Sequence, residues 1–210
     1  MSNFPKGSGA KCSVLMCQNE ASPVSQYCPK HKQRVIRTGH PTTPAINLRR
    51  TEGKKQRLWL EVFIEDELKT NESLGESLAW LKAWVSQQAR HPSKGQAFFR
   101  RVYAQADEQG YISIVAGIAT LIANNMFRPS SIESGLPLIR QTATWTLFGA
   151  VEAPYTKKKR DGKVSTAYYV NPSIADSVGK TVLEEMGKDL SYLAQRAVRL
   201  SPYFNRKKGL

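Results

Sequence analysis

Apolar residues recur along much of this chain at the spacing of one helical face. Leu74, Leu78, Leu81 and Val85 form one stripe, with Trp80 and Trp84 beside it, which predicts a helix over 74–90. Ser73 and Glu76 in front of it form a capping-box pattern. A following helix is expected over 96–108, with Phe98 or Phe99, Val102 and Tyr103 inward and Arg100 and Arg101 exposed. Residues 110–126 are strongly apolar, with Ile114, Ile118, Leu121 and Ile122 on one face, although β-branched content leaves a strand open for 111–115. Residues 58–68 fit both periods. Leu60, Ile64 and Leu68 suit a helix, Leu60, Val62 and Ile64 a strand, and the four acids among them favour the helix.

The pattern then changes. Ser130 and Glu133 form another capping box, Gly135 breaks that short helix, and Pro137 opens a new one. Leu138, Ile139, Thr142, Trp145 and Phe148 make its apolar face, Arg140, Gln141 and Thr144 lie around the other side, and Gly149 stops it. Residues 151–156 and 165–170 are rich in β-branched and aromatic types. Between them stand Lys157, Lys158, Lys159, Arg160, Asp161, Gly162 and Lys163, with an Asp-Gly turn signal. Asn171 and Pro172 begin a brief helix ending near Gly179, and a last helix over 181–200 carries Val182, Met186, Leu190, Leu193 and Val198. Arg206, Lys207 and Lys208 make a basic tail. Four segments follow: 1–42, a basic linker over 43–57 whose Arg49 and Arg50 are candidate phosphate contacts or simply keep the chain in solution, a helical region over 58–109, and a domain over 110–210. The acids of 61–76 and 176–189 read as solvated helix faces.

Charge narrows the partners. The 210 residues hold 31 Lys and Arg against 17 Asp and Glu, a formal net charge of +14. So basic a folded chain is expected to meet a polyanion, and because its cations cluster between elements, double-stranded DNA is favoured over a membrane surface. RNA stays open. No apolar run reaches the roughly 20 residues of a membrane span, and the N-terminus lacks a secretory apolar segment. A cytoplasmic protein with no small-molecule substrate is expected.

All three cysteines, Cys12, Cys17 and Cys28, lie in the first 28 residues, and His31 follows the last by three. An odd thiol count in a reducing compartment argues against a disulfide framework. The spacing Cys-x4-Cys-x10-Cys-x2-His gives two ligand pairs that can close one tetrahedral, structural zinc site. His40 is an alternative fourth ligand, and three unligated cysteines are the plainer alternative to any site.

Cys12 to Cys17, then Cys28-Pro29-Lys30-His31-Lys32-Gln33-Arg34, then Arg37-Thr38-Gly39-His40-Pro41 resemble a small zinc module of bacteriophage proteins, often found beside His-Asn-His homing endonucleases. The resemblance covers about 30 residues. It implies a phage or prophage origin and a zinc-pinned helix touching DNA through Lys30, Lys32, Arg34 and Arg37. No His-Asn-His grouping surrounds the three histidines, so binding without cutting, and no enzyme, is expected. The later order of helix, turn, helix and cationic hairpin resembles a winged helix-turn-helix. A tyrosine-rich strand running into Asn171-Pro172 is similar to the wing's end in initiators of plasmid or phage replication. That resemblance implies base contacts from Arg140, Gln141 and Thr144 and backbone contacts from Lys157, Lys158, Lys159, Arg160 and Lys163. The expected whole is a mainly α protein with a small β-hairpin and an N-terminal zinc module, regulating transcription or replication. The alternatives are a protein that binds host machinery such as RNA polymerase or replication proteins, and a nuclease subunit.

Overall fold

The computed structural model describes residues 10–23, 25–38, 47–49, 51–91, 96–126, 135–151, 156–158, 164–166 and 172–204. It is mainly helical, with eight helices among the described residues. None of these is long and apolar enough to cross a membrane. Two compact units divide the chain. One comprises Met1–Ile46 with Pro129–Pro137, the other Asn47–Arg128 with Leu138–Leu210.

In the first unit, helix α1 (Pro29–Thr38) follows a looped segment pinned by backbone bonds. The amide of Cys12 donates to Asn19 (3.0 Å), that of Ser13 to Gln26 (2.9 Å), and that of Ala21 to Ala10 (2.7 Å). A single antiparallel bridge joins Lys11 to Glu20.

The second unit is built around one helix. Helices α2 (Thr51–Glu67), α3 (Glu72–Arg90), α4 (Ala97–Gln105), α5 (Glu108–Asn125), α6 (Gly135–Phe148), α7 (Pro172–Glu185) and α8 (Gly187–Leu200) follow in order, α6 belonging to this unit from Leu138 onward. Helix α5 is apolar on every side and buries eleven residues, including Tyr111, Ile114, Val115, Ile118 and Leu121. Such a helix is stable only when surrounded, and α2, α3 and α8 pack against it. Each fully buried Ile or Leu contributes about 1.5–3 kcal/mol. The strand open for 111–115 is therefore overturned: these residues lie inside α5, which Asp107 caps by accepting from the Gly110 amide at 2.8 Å.

Several other expectations change. Helix α2 begins at Thr51, so residues 51–57 of the expected linker are helical. Lys54 and Lys55 are exposed while Gln56 is buried. The Gln56 amide donates to the Tyr203 carbonyl (3.1 Å) and accepts from Asn124 (3.0 Å). An inward-facing polar residue hides a helix from any apolar pattern. Before α3, Asn71 rather than Ser73 caps, its side chain accepting from the Leu74 amide at 3.2 Å. Asn is as good a cap as Ser, and Ser73 instead donates to Asp189. Helix α7 runs through Gly179 to Glu185. Gly179 is buried where α7 meets α6, and a Cβ there would collide with the Ile139 carbonyl. The glycine serves a close crossing, not a stop. The break comes at Met186, buried between α7 and α8.

The face of α6 sits close to α5. A Cβ on Gly117 would fall inside the indole of Trp145, whose Nε1 donates to the Ser113 carbonyl at 3.0 Å. Backbone pairing joins Thr156–Lys158 (β1) antiparallel to Val164–Thr166 (β2), with Thr156 opposite Thr166. Of the expected tip over 157–163, Lys157 and Lys158 belong to β1; the rest of that tip, 159–163, and the capping box at Ser130 and Glu133 lie outside the described residues.

A candidate metal centre and its basic helix

The first unit gathers the four residues that the spacing singled out. One ligand atom from each of Cys12, Cys17, Cys28 and His31 lies within 4.8 Å of all the others. His31 Nδ1 stands 3.3 Å from Cys12 Sγ and 3.4 Å from Cys28 Sγ, and the Cys17 and Cys28 sulfurs are 4.0 Å apart. Zinc bonds of about 2.3 Å to sulfur and about 2.0–2.1 Å to nitrogen give tetrahedron edges of roughly 3.8 Å and 3.6 Å. The cluster is compatible with one zinc ion.

Local structure explains how these atoms converge. The chain turns sharply after Cys12, the Cys17 amide donating to the Val14 carbonyl at 3.0 Å. Met16 takes φ of 64° there, a left-handed conformation costing a non-glycine residue on the order of 1 kcal/mol. A strained turn persists when its surroundings fix it, and a ligand at each end does so. Cys28 begins the first turn of α1, its carbonyl accepting from the Lys32 amide at 2.8 Å. That turn aims His31 back at the sulfurs. Cys12, Cys28 and His31 are buried and Cys17 is half-buried, and Asn19 Nδ2 lies 3.7 Å from the Cys17 sulfur.

The electrostatics differ between thiols. Burial opposes ionisation of Cys12, but the amides of Cys28 and Val14 and the side chains of His31 and Cys17 outweigh it, lowering its pKa to about 6. For Cys17, the backbone of Asn19 favours the thiolate. Burial and the Cys12 and Cys28 sulfurs prevail, and its pKa is raised. Like charges crowd one another here, and a divalent cation is what lets all three sulfurs be thiolates together. His40, the alternative ligand, lies outside the described residues.

Helix α1 carries cations away from this cluster and has no acidic residue. Lys30 is exposed, Lys32 and Arg34 are half-buried, and Lys30 and Arg34 share one helical face. Arg37 belongs to the last turn of α1.

The other expected nucleic-acid contacts lie in the second unit. Arg140 is engaged by Asp176, Nε to Oδ1 at 2.8 Å and Nη2 to Oδ2 at 3.2 Å. Asp176 thereby raises the Arg140 pKa and has its own lowered. The Thr144 hydroxyl donates to the Arg140 carbonyl at 2.8 Å, and Gln141 is half-buried. Arg49 donates to the Phe148 carbonyl, with its guanidinium 5.5 Å from the Trp145 ring centre. It serves the fold of the second unit and not a free linker. Lys157 and Lys158 belong to β1, while Arg50, Lys159, Arg160 and Lys163 lie outside the described residues.

Two groups escaped the sequence reading. Leu15 and Met16 are 90% and 93% exposed, and the apolar pattern carries no signal of this, since the exposure follows from the turn between Cys12 and Cys17. Glu61 and Asp189, expected on solvated faces, are buried, Glu61 paired with Arg57 and Asp189 accepting from two serines. No family model, curated protein or solved structure matches this chain.

Proposed function

We propose that this chain is a DNA-binding regulatory protein of phage or mobile-element origin, acting in transcription or replication. The supporting observation is the junction of the Cys3His cluster with α1. The helix that supplies His31 continues as an acid-free cationic segment, in a chain of net charge +14. Four protein ligands leave zinc no open position, so its role is structural. It folds a small module and holds Lys30, Lys32, Arg34 and Arg37 toward phosphates. In the second unit, α5, α6 and the β1–β2 ladder follow in the order of a winged helix. Lysines of the wing would grip the backbone while α6 meets base edges.

A second reading, binding to host transcription machinery, draws on the Arg140–Asp176 ion pair. That pair occupies the residue expected to read bases. Fluorescence anisotropy of zinc-loaded protein with mixed-sequence duplex across a salt series separates the two. DNA binding predicts a steep slope, about 0.9 in log–log terms for each phosphate neutralised. Weak binding even at low salt would overturn it and put the protein-partner reading first.

A further inference from the structure

We propose that Leu15 and Met16 form an apolar wedge that enters a base step of duplex DNA from the minor groove. The inference rests on the DNA-binding reading and assigns the zinc module a second kind of contact. Four observations carry it.

Leu15 and Met16 are 90% and 93% exposed, and the next large apolar side chain among the described residues, Val62, is 67% exposed. Two adjacent apolar residues so fully in water are out of place on a polar module. Their backbone is also tied down. Their turn is closed by the ligands Cys12 and Cys17, by the Cys17–Val14 and Ser13–Gln26 backbone bonds, and by the left-handed Met16.

The module as a whole is cationic. Residues 10–38 contain Lys11, Lys30, Lys32, Arg34 and Arg37 against Glu20 alone, five minus one or +4. Zinc with three thiolates contributes −1, leaving +3. That sign selects a polyanion. Size then chooses among polyanionic partners. A stable protein interface takes about 800 Å² from each side, far more than two side chains offer. Unstacking one base step takes only one or two inserted apolar residues, with Leu and Met among those used. A single strand is disfavoured because the tip has no aromatic ring on which a base could stack.

The test uses the zinc-loaded full chain and a duplex carrying 2-aminopurine at a flexible pyrimidine–purine step, with a dye at each end. The comparison variant is Leu15→Ser with Met16→Asn, since Asn tolerates the left-handed backbone. Zinc stoichiometry checks that the module is intact. Wild type is expected to brighten 2-aminopurine and shorten the end-to-end distance. The variant is expected to hold zinc and keep the same salt slope, to bind on the order of tenfold more weakly, and to leave the duplex straight. Wild type that binds without unstacking, or a variant that bends equally, overturns the wedge and leaves an apolar pocket on a protein as its occupant. Failure of wild type to bind any duplex overturns the DNA-binding reading itself, a result the anisotropy measurement registers separately.

Discussion

A carboxylate shut inside a protein needs donors, and Asp189 takes them from hydroxyls. Ser77 donates at 2.6 Å and Ser73 at 3.0 Å, while the position of Asp189 in the first turn of α8 adds the favourable end of the helix dipole. The double change Ser73→Ala, Ser77→Ala leaves that charge unsatisfied and should cost about 1–3 kcal/mol or more, read as a lower urea midpoint at unchanged slope. An unchanged midpoint would show that water replaces the serines. The sequence concealed this arrangement because its partners lie 116 and 112 residues apart. Gln56 and Tyr203, 147 apart, were hidden in the same way. The metal ligands were legible because their geometry is local: two short-range pairs define most of a tetrahedron before any fold is known.

At the scale of elements, apolar periodicity revealed where helices run better than where they end. Glycine illustrates why. Gly149 does follow α6, but Gly179 sits inside α7 because Ile139 comes too near for any side chain. A turn and a close crossing call for the same residue, and only packing tells them apart. The same crossing holds the Arg140–Asp176 pair. Asp176 has its pKa lowered from 3.8, chiefly by the Arg140 hydrogen bond. A depressed acid stabilises fully above its unfolded value and loses that contribution as pH falls through its folded one. Both side chains are about a third exposed, so solvent screens the pair and keeps its contribution small. Asp176→Asn should therefore melt below wild type at neutral pH, with the gap closing on acidification below 3.8. A gap constant through the acid limb would exclude the ion pair as its source.

For the whole molecule, the two units differ in what folds them. The second has a large apolar core; among the described residues of the first, the buried ones are Cys12, Cys28 and His31, all members of the Cys3His cluster. A structural zinc held by such a cluster would contribute about 10–16 kcal/mol of folding free energy to so small a module. Trp59, Trp80, Trp84 and Trp145 all belong to the second unit, so tryptophan fluorescence reports that unit alone. Cys28→Ser should abolish stoichiometric zinc and the ordered signals of residues 10–38 while the tryptophan melting curve keeps its midpoint. A shifted midpoint would show that the core depends on the metal.

The order of helices also has a consequence during synthesis. Helix α5 is complete at Asn125, but α8, which covers one of its sides, ends only at Leu200. At about 5–20 residues per second, the intervening 75 residues take roughly 4–15 s. For that time the most apolar helix of the growing chain lacks one wall. The nascent protein should thus engage chaperones in that interval, well after the Cys3His cluster has left the ribosome.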